Sequence, residues 1–387
     1  MGRHIYVHNP FCARKCPYCG FYSEEGTSGM DEYYRCAEAE ARLWVAAEGA
    51  PDADDGIDTV YFGGGTPSLP DSSQVCRLLK TIKESFGIRP DAEITIEINP
   101  SSLTRKKAED YFNAGFNRVS VGVQSLSDSV LRTLGRLHDS AGAIEAINML
   151  KDAGFTNISA DLITGVPGQT MEDVLRDVDK FASLGIRHVS TYSLTLEEGT
   201  AFYTRYRDSL EDLVPPEQER AVYHAVRRRL EELGIIPYEI SNSACEGYRS
   251  VHNSSYWNGS EYYAIGAGAH GYTRGRRYGH PDSIDEYIRV MSGPLPDSGI
   301  PEGLIYIEEY MTPEDRMQEY PFLRLRTGEG IDVKVFGEKF GRDVHEVFGK
   351  AIEDNISCGL LEDRDGHIRL TEEGLDFADA VIRDFLG

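Results

Sequence analysis

Over about the first 200 residues, short runs rich in β-branched residues alternate with longer stretches whose apolar positions recur at helical spacing. The predicted strands are His4–His8, Thr59–Phe62, Ile94–Ile98, Arg118–Val123, Ile158–Ile163 and His188–Leu194. The predicted helices are Glu32–Glu48, Ser72–Phe86, Lys106–Ala114, Ala141–Ala153 and Met171–Leu184. Gly115, Gly154 and Gly185 each follow a predicted helix, where glycine commonly ends helices. The alternation predicts an α/β fold with a parallel sheet, and six units indicate a partial (β/α)6 barrel rather than a closed barrel of eight.

Unusual motifs follow the carboxyl end of every predicted strand. In order they are Cys12–Cys19, Gly63–Ser68, Glu97–Pro100, Gly122–Ser125, Asp161 with Gly165–Thr170, and Ser193. In βα barrels the chemistry lies at the carboxyl ends of the strands. The motifs therefore predict one site on one rim of the barrel.

Beyond residue 200 the pattern changes. A charged helix is predicted over Val214–Leu233, and a polar, aromatic-rich stretch follows it. Gly293–Pro301 is typical of a linker, and a hairpin is predicted at Leu361–Leu370 with Thr371 as the N-cap of a last helix. These features predict a small C-terminal helical, winged-helix-like domain. The predicted domains are residues 1–200, 201–298 and 299–387.

Composition narrows the class of protein. The 387 residues carry a formal net charge of −24, which argues against nucleic acid as a partner. No apolar run approaches the roughly 20 residues of a membrane span, and the start Met1–Tyr6 does not resemble a signal peptide. Seven cysteines without such a signal favour a reducing compartment. We therefore expect a cytoplasmic protein.

Cys12, Cys16 and Cys19 are the strongest chemical signal in the chain. Their spacing lets one loop hold a [4Fe–4S] cluster through three thiolates and leaves the fourth iron open to a reactant. A closed zinc site needs four ligands, usually in two separated pairs, and a disulfide framework needs an even number of cysteines. The spacing therefore favours a redox cluster. We assign no role to Cys36, Cys76, Cys245 and Cys358.

The cysteine triad, the glycine run after the second strand and the strand-end residues together resemble the radical S-adenosylmethionine (SAM) superfamily. The match is strongest, over residues 4 to about 280, with the branch that contains oxygen-independent coproporphyrinogen III dehydrogenase and the HemW-type haem chaperones. This resemblance implies that Cys12, Cys16 and Cys19 hold the cluster and that SAM chelates its open iron. It also implies SAM contacts for Tyr6, Tyr18, Gly64, Gly65, Thr66 and Glu97.

Three further residues, Gln124, Arg136 and Asp161, match positions that contact a second SAM molecule in the dehydrogenase. Ser193 and His270 lie near other positions that contact the second SAM molecule in the dehydrogenase. Each has a structural alternative: Glu97 as a loop cap, Arg136 as a surface cation, and Asp161 as a partner that orients a neighbouring amide. The resemblance and the position on the rim favour the binding roles.

Two features separate the chaperone from the dehydrogenase. The dehydrogenase has a fourth cysteine where this chain has Phe21, and His252–Trp257 resembles the HNxxYW motif of the HemW type. The resemblance implies that His252 offers its imidazole to haem iron, next to aromatic rings that contact the macrocycle. The alternative for His252 is a buried structural histidine.

The resulting hypothesis is a haem chaperone that binds haem, a [4Fe–4S] cluster and SAM and delivers haem to acceptor proteins. As further partners we expect a low-potential electron donor, a second copy of the chain in a homodimer, and membrane proteins in transient contact. Whether the protein turns over a substrate stays open. The alternatives are an oxygen-independent coproporphyrinogen III dehydrogenase, another radical SAM tetrapyrrole enzyme, and a cluster-binding scaffold that cleaves no SAM.

Overall fold

The computed structural model describes residues 4–49, 56–209 and 213–386. The strands are β1 His4–Asn9, β2 Phe11–Cys12, β3 Glu24–Glu25, β4 Ile57–Gly64, β5 Ile88–Ile98, β6 Arg118–Gln124, β7 Asn157–Thr164, β8 His188–Ser193, β9 Ile236–Pro237, β10 Asn242–Ala244, β11 Tyr262–Ile265, β12 His270–Thr273, β13 Arg276–Gly279, β14 Tyr306–Tyr310, β15 Ile331–Asp332, β16 Leu361–Arg364 and β17 His367–Leu370. The helices are α1 Met30–Glu48, α2 Ser72–Phe86, α3 Arg105–Ala114, α4 Asp128–Thr133, α5 Ser140–Ala153, α6 Met171–Ser183, α7 Ala201–Tyr206, α8 Pro216–Glu232, α9 Val251–Trp257, α10 Ile284–Met291, α11 Pro313–Arg324, α12 Val333–Phe340, α13 Val344–Ser357, α14 Glu372–Asp376 and α15 Ala378–Asp384. The prediction about a signal peptide concerned Met1–Tyr6. The first three of these residues, Met1–Arg3, lie outside the described residues.

The main sheet has 12 strands in the order β14-β13-β12-β11-β1-β4-β5-β6-β7-β8-β10-β9. The strands β11, β1 and β4 to β8 are parallel to one another, and the strands at both edges are antiparallel to their neighbours. All six predicted strands lie side by side in the parallel part, so the predicted partial barrel is confirmed. The strands β11 to β14, which the sequence pattern did not predict, extend the sheet beyond β1.

Alternation along each strand separates the core from the site. In β5 the side chains of Ile94, Ile96 and Ile98 belong to the buried apolar core. Successive side chains of a strand point to opposite faces, so Glu97 points into the barrel, where it accepts a hydrogen bond from Tyr61. The same alternation therefore builds the hydrophobic core and delivers polar groups to the interior.

The helices that cover this sheet begin and end at local signals. Asp71 caps α2 and Thr170 caps α6, each within a capping box that satisfies free backbone N–H groups. Gly115 and Gly154 end α3 and α5 with φ of 94° and 113°, in the left-handed region that glycine adopts without strain. The predicted helices thus stop where the sequence indicated, and the next strand starts within a few residues.

The C-terminal helices α11 to α15 enclose a second apolar core around the three-stranded sheet β15-β17-β16. The predicted hairpin is present as β16 and β17, with Leu361 opposite Leu370. Thr371 accepts a hydrogen bond from the backbone N–H of Gly374 and caps α14, as predicted. The predicted C-terminal helical domain is therefore confirmed.

The predicted linker at Gly293–Pro301 is irregular and leads into β14, which pairs with β13 in the main sheet. The helical domain thus begins after β14, while the division at residues 200 and 298 stays a prediction. Among the helices of the described ranges, none has the length and apolar character that a membrane crossing requires.

Candidate functional site

A cavity of about 650 Å³ opens at the carboxyl ends of the parallel strands. The predicted site residues that line it are Cys12, Cys16, Tyr18, Cys19, Gly64, Gly65, Thr66, Glu97, Gln124, Arg136 and Asp161. They come from five different strands and the loops that follow them, because the carboxyl ends of neighbouring parallel strands meet at one rim. Ser193, named near the second SAM positions, also lines the cavity. The structure therefore brings together the predicted site residues except Tyr6, His252 and His270.

The cysteine loop is tied at its base and turns within itself. Its first strand, β2, pairs with β3, and the N–H of Gly26 donates to the carbonyl of Cys12 at 2.9 Å. Within the loop, the N–H of Cys19 donates to the carbonyl of Cys16 at 3.1 Å. All three thiols are partly buried, and burial raises the pKa of Cys19. The loop thus presents three sulfur atoms to one wall of the cavity.

The thiols have different neighbours along this wall. Thr66 Oγ1 lies 3.5 Å from Cys12 Sγ, and Arg136 Nη1 lies 3.4 Å from Cys16 Sγ. In the described ranges, no three His, Cys, Asp or Glu side chains are gathered as a single metal ion requires. The protein ligands of a [4Fe–4S] cluster bind different irons, and three thiols along one cavity wall fit such a cluster.

The glycine run packs directly against the cysteine strand. The N–H of Gly65 donates to the carbonyl of Asn9 at 2.7 Å, and a Cβ on Gly65 would lie 2.8 Å from that oxygen and 3.1 Å from Cys12 Sγ. Gly64 has φ of 104°, and a Cβ there would lie 2.5 Å from the His8 ring. Glycine alone fits here, and it leaves backbone groups open to the cavity. The glycine run therefore leaves space for a ligand held close to the cysteine loop.

Two carboxyl groups form the polar wall opposite. Glu97 accepts a hydrogen bond from the Tyr61 hydroxyl at 2.7 Å, and burial raises the pKa of Glu97 to about 7. Asp161 accepts a hydrogen bond from Ser120 Oγ at 3.2 Å, and burial raises the pKa of Asp161 to about 6. Burial raises these pKa values because it disfavours the ionised form. A cationic ligand beside these two carboxyl groups would favour their ionised form and lower their pKa values again. The wall is therefore suited to a positively charged group.

Replacing Glu97 by Gln is expected to stabilise the ligand-free protein at high pH only. The Glu97 pKa is raised from 4.5 to about 7 in the folded chain, so ionisation costs folding free energy as the pH rises through this window. At about 1.4 kcal/mol per pKa unit, we expect the variant to gain about 3 kcal/mol over the parent at about pH 8.5 and little at about pH 4. Denaturant unfolding across this pH range measures the difference.

The matched control is Glu109→Gln, on an exposed position of α3, which should leave the pH dependence of the unfolding free energy unchanged. Equal stabilisation by Glu97→Gln at both pH values would contradict the explanation, because a packing effect does not titrate.

Gln124 and Arg136 complete the wall near the cysteines. Gln124 ends β6 with φ of 67°, in a region that non-glycine residues seldom adopt, at a shift in the pairing with β7. Backbone strain of this kind clusters at functional sites. Arg136 donates to the carbonyl of Gly122 at 3.0 Å and lies 3.5 Å from the Tyr18 hydroxyl. Its guanidinium is therefore fixed between the β6 end and the cysteine loop rather than free on the surface.

Several lining residues were not predicted, namely Arg14, Ser120, Tyr192, Thr195 and Glu197. Ser120 could have been found, because it lies two positions before Gly122 on the same face of β6. Thr195 and Glu197 follow β8 in an irregular segment, where no periodicity tells which side chains face the cavity.

Tyr6 lies beneath the glycine run instead of in the cavity wall. Its hydroxyl is 3.0 Å from His8 Nδ1, and its ring stacks on Tyr61 with 6.2 Å between centroids. A Cβ on Gly63 would meet the Tyr6 ring at 3.1 Å. Tyr6 thus supports the glycine run from below.

His252 is not brought to the cavity. It is 1% exposed, its Nδ1 lies 2.6 Å from Thr59 Oγ1, and its Nε2 lies 2.9 Å from the Tyr256 hydroxyl. Thr59 is near the start of β4, opposite His4 at the start of β1, so His252 packs at the amino ends of the strands. Both ring nitrogens have protein partners, as a buried structural histidine would, and a role of His252 toward haem stays a prediction.

Comparison with known proteins gives the family. Residues 6–198 match the Radical SAM superfamily, and residues 311–377 match the HemN C-terminal domain. The protein named heme chaperone HemW from Bacillus subtilis is 34% identical over 385 residues, which cover 99% of this chain and 98% of the relative. The protein of the same name from Lactococcus lactis is 34% identical over 382 residues, which cover 98% of this chain and 96% of the relative.

The fold is shared with a solved structure. Coproporphyrinogen III oxidase (HemN) from Escherichia coli, a radical SAM enzyme, matches with a TM-score of 0.83 at 20% identity, covering 99% of this chain and 90% of that one. At this identity the likeness concerns the fold, and the end-to-end similarity to the HemW proteins decides the branch. The chain therefore belongs to the HemW family of radical SAM proteins.

Proposed function

We propose that this protein is a haem chaperone that binds haem together with a [4Fe–4S] cluster and SAM and delivers haem to acceptor proteins. The observation that carries the proposal is the similarity to two heme chaperones over almost the whole chain. The residue Phe21 adds to it: the dehydrogenase resemblance would require a cysteine there, and Phe21 is instead an aromatic ring, 70% exposed, at the cavity mouth.

Within this proposal Cys12, Cys16 and Cys19 hold the cluster. The guanidinium of Arg136, 3.4 Å from Cys16 Sγ, offsets part of the negative charge that thiolates bring to the wall. The backbone of Gly64 and Gly65 approaches the ligand closely because neither residue has a Cβ. When bound, the cluster and SAM supply one-electron chemistry, and the protein supplies binding and orientation.

The carboxyl wall would hold the cationic end of SAM. Ionised Glu97 attracts an amino or sulfonium group, and the Tyr61 hydroxyl keeps the carboxylate oriented toward the cavity. Asp161 and Gln124 extend this polar wall, and Tyr18 closes one side with its ring edge against Phe202 at 6.2 Å. The site residues are thus proposed to bind the cofactors and to exclude water from the cluster.

The remaining partners follow from the chaperone hypothesis: haem-acceptor proteins, a low-potential electron donor for the cluster, a homodimer and transient contact with membrane proteins. A cytoplasmic location stays a prediction of the sequence. The formal net charge of −24 supports the prediction that nucleic acid is not a partner.

The experiment compares two reactions of the anaerobically reconstituted protein. One sample receives haemin, and the other receives SAM, dithionite and coproporphyrinogen III. We expect saturable haem binding that survives gel filtration, and no conversion of coproporphyrinogen III to protoporphyrinogen IX by chromatography. Decarboxylation would show an enzyme of the dehydrogenase type, and the absence of saturable haem binding would reject the chaperone.

A further inference from the structure

The segment Gly266–His270 lies on the same rim as the cysteine loop. It follows β11, which runs parallel to β1 with Ile265 opposite Val7, so both strands end at the same edge. A Cβ on Gly266 would lie 2.9 Å from the carbonyl oxygen of His8, and a Cβ on Gly268 would overlap the ring of Tyr22. The segment is therefore packed against the residues that lead into and out of the cysteine loop.

His270, at the end of this segment, has an open imidazole. Its side chain is 51% exposed, and its Nδ1 lies 3.0 Å from Glu308 Oε1. Among the described residues, no group makes a hydrogen bond to its Nε2. A metal-ligating histidine commonly donates its other ring N–H to a carboxylate, which fixes the tautomer and leaves the free nitrogen as the ligand. His270 has this arrangement, whereas His252 has partners on both nitrogens.

The other histidines of the chain are less suitable. Those that are buried are His4, His8, His138, His188, His252 and His280. His224 has an acidic partner at each ring nitrogen. His345 and His367 are in the C-terminal helical domain, away from the cysteine loop. His270 is thus the histidine that combines exposure with a position beside the proposed cluster site.

An aromatic ring lies next to this imidazole. His270, Gly279 and Tyr306 stand opposite one another across β12, β13 and β14, and directly opposed residues share a face of the sheet. A Cβ on Gly279 would lie 2.5 Å from the Tyr306 hydroxyl and 2.6 Å from its Cζ, so the Tyr306 ring lies across Gly279 toward His270. Tyr306 is 46% exposed. This face offers an imidazole and a flat ring that lies across the neighbouring strand.

We infer that His270 Nε2 is the protein ligand to haem iron, with Glu308 orienting the imidazole and Tyr306 contacting the macrocycle. The inference rests on the proposed haem-chaperone function and assigns the haem site within it. The neutral imidazole donates its lone pair to the iron, the Nδ1 proton stays on the bond to Glu308, and no electron is transferred. Haem bound in this way would lie at the rim beside the cluster cavity. The same rim of the barrel could then hold both haem and the cluster.

Haemin titration of the cluster-loaded full chain tests the site through the Soret band and the electron paramagnetic resonance of the iron. For His270→Ala we expect binding weaker by about tenfold or more and loss of the parent Soret position, which added imidazole restores. Glu308→Gln should weaken binding by about tenfold with the ligand retained, since it removes only the carboxylate partner. Tyr306→Ala should weaken binding without moving the Soret band.

His345→Ala is the matched control, because His345 is also exposed and also beside a carboxylate, 3.5 Å from Asp363. It should bind haemin as the parent does. Parent-like affinity and Soret position in His270→Ala would overturn the inference. So would loss of iron ligation in His252→Ala but not in His270→Ala, provided that His252→Ala keeps the circular dichroism and the cluster content of the parent. If the parent chain itself shows no saturable haemin binding, the proposed function fails instead, so the two failures are distinct.

Discussion

Alanine at any one of Cys12, Cys16 and Cys19 is expected to abolish assembly of the [4Fe–4S] cluster. The three thiols share one cavity wall, and the loop that carries them supplies no further cysteine between its tied ends. A cluster held by three protein thiolates already has one iron without a protein ligand, so the loss of another leaves it bound through two corners only. We expect iron, acid-labile sulfide and the brown absorbance to fall to background after anaerobic reconstitution.

Cys245→Ala and Cys358→Ala are the controls for this experiment. Both residues are thiols outside the cavity lining, and Cys358 is exposed. They should reconstitute like the parent protein, which separates loss of a ligand from general loss of thiols. A triad variant that retains parental iron and sulfide, with the same circular dichroism, would reject the assignment of that cysteine.

The central fold was predictable because each strand carries two independent patterns. In β6, Val119, Val121 and Val123 are buried in the apolar core, while Ser120 and Gln124 point to the cavity. The apolar set indicates a strand, and the polar residues at its carboxyl end indicate a site. Since neighbouring parallel strands end at one rim, residues far apart in sequence could be assigned to one cavity before any contact was known.

The place of His252 could not be predicted in this way. Its helix α9 is held at the amino ends of the strands by Glu93, whose carboxylate accepts from the N–H groups of Val251 and His252 at 3.0 Å each. Glu93 lies in β5. Nothing in the sequence pattern of β5 or of α9 indicates that this buried carboxylate caps the start of α9. The motif shows that the histidine and the aromatic residues belong together, but the end of the barrel at which they lie is decided by this long-range contact.

The strands β11 to β14 were missed for a related reason. Tyr272 and Tyr278 each have a glycine neighbour, Gly271 and Gly279, and a Cβ on Gly271 would overlap the Tyr278 ring. Such a pattern is typical of aromatic loops as well as of strands, and pairing with β1 decides between them. The proposed haem face at His270 therefore became visible only from the register of the sheet.

Gly65→Ala is expected to weaken SAM binding by more than about tenfold and to impair cluster assembly. The added Cβ would lie 2.8 Å and 2.9 Å from the carbonyl oxygens of Asn9 and Phe11, which are backbone atoms that cannot rotate away, and 3.1 Å from Cys12 Sγ. Overpacking of this kind typically costs about 1–3 kcal/mol. The strain is relieved only by moving the glycine run away from the cysteine strand, which separates the two halves of the proposed cofactor site.

The same substitution at Gly349 separates this effect from a general intolerance of alanine. Gly349 lies in α13 directly after a kink at Phe348, and a Cβ there would meet nothing within 4 Å, so Gly349→Ala should be tolerated and should leave SAM affinity unchanged. Equilibrium dialysis with labelled SAM measures the affinity, and thermal unfolding measures the stability independently. A Gly65→Ala protein that is less stable but binds SAM with parental affinity would show that Gly65 serves packing alone. Lost affinity at nearly parental stability would show that the position of the glycine run, and thus its close approach to the ligand, is what the site requires.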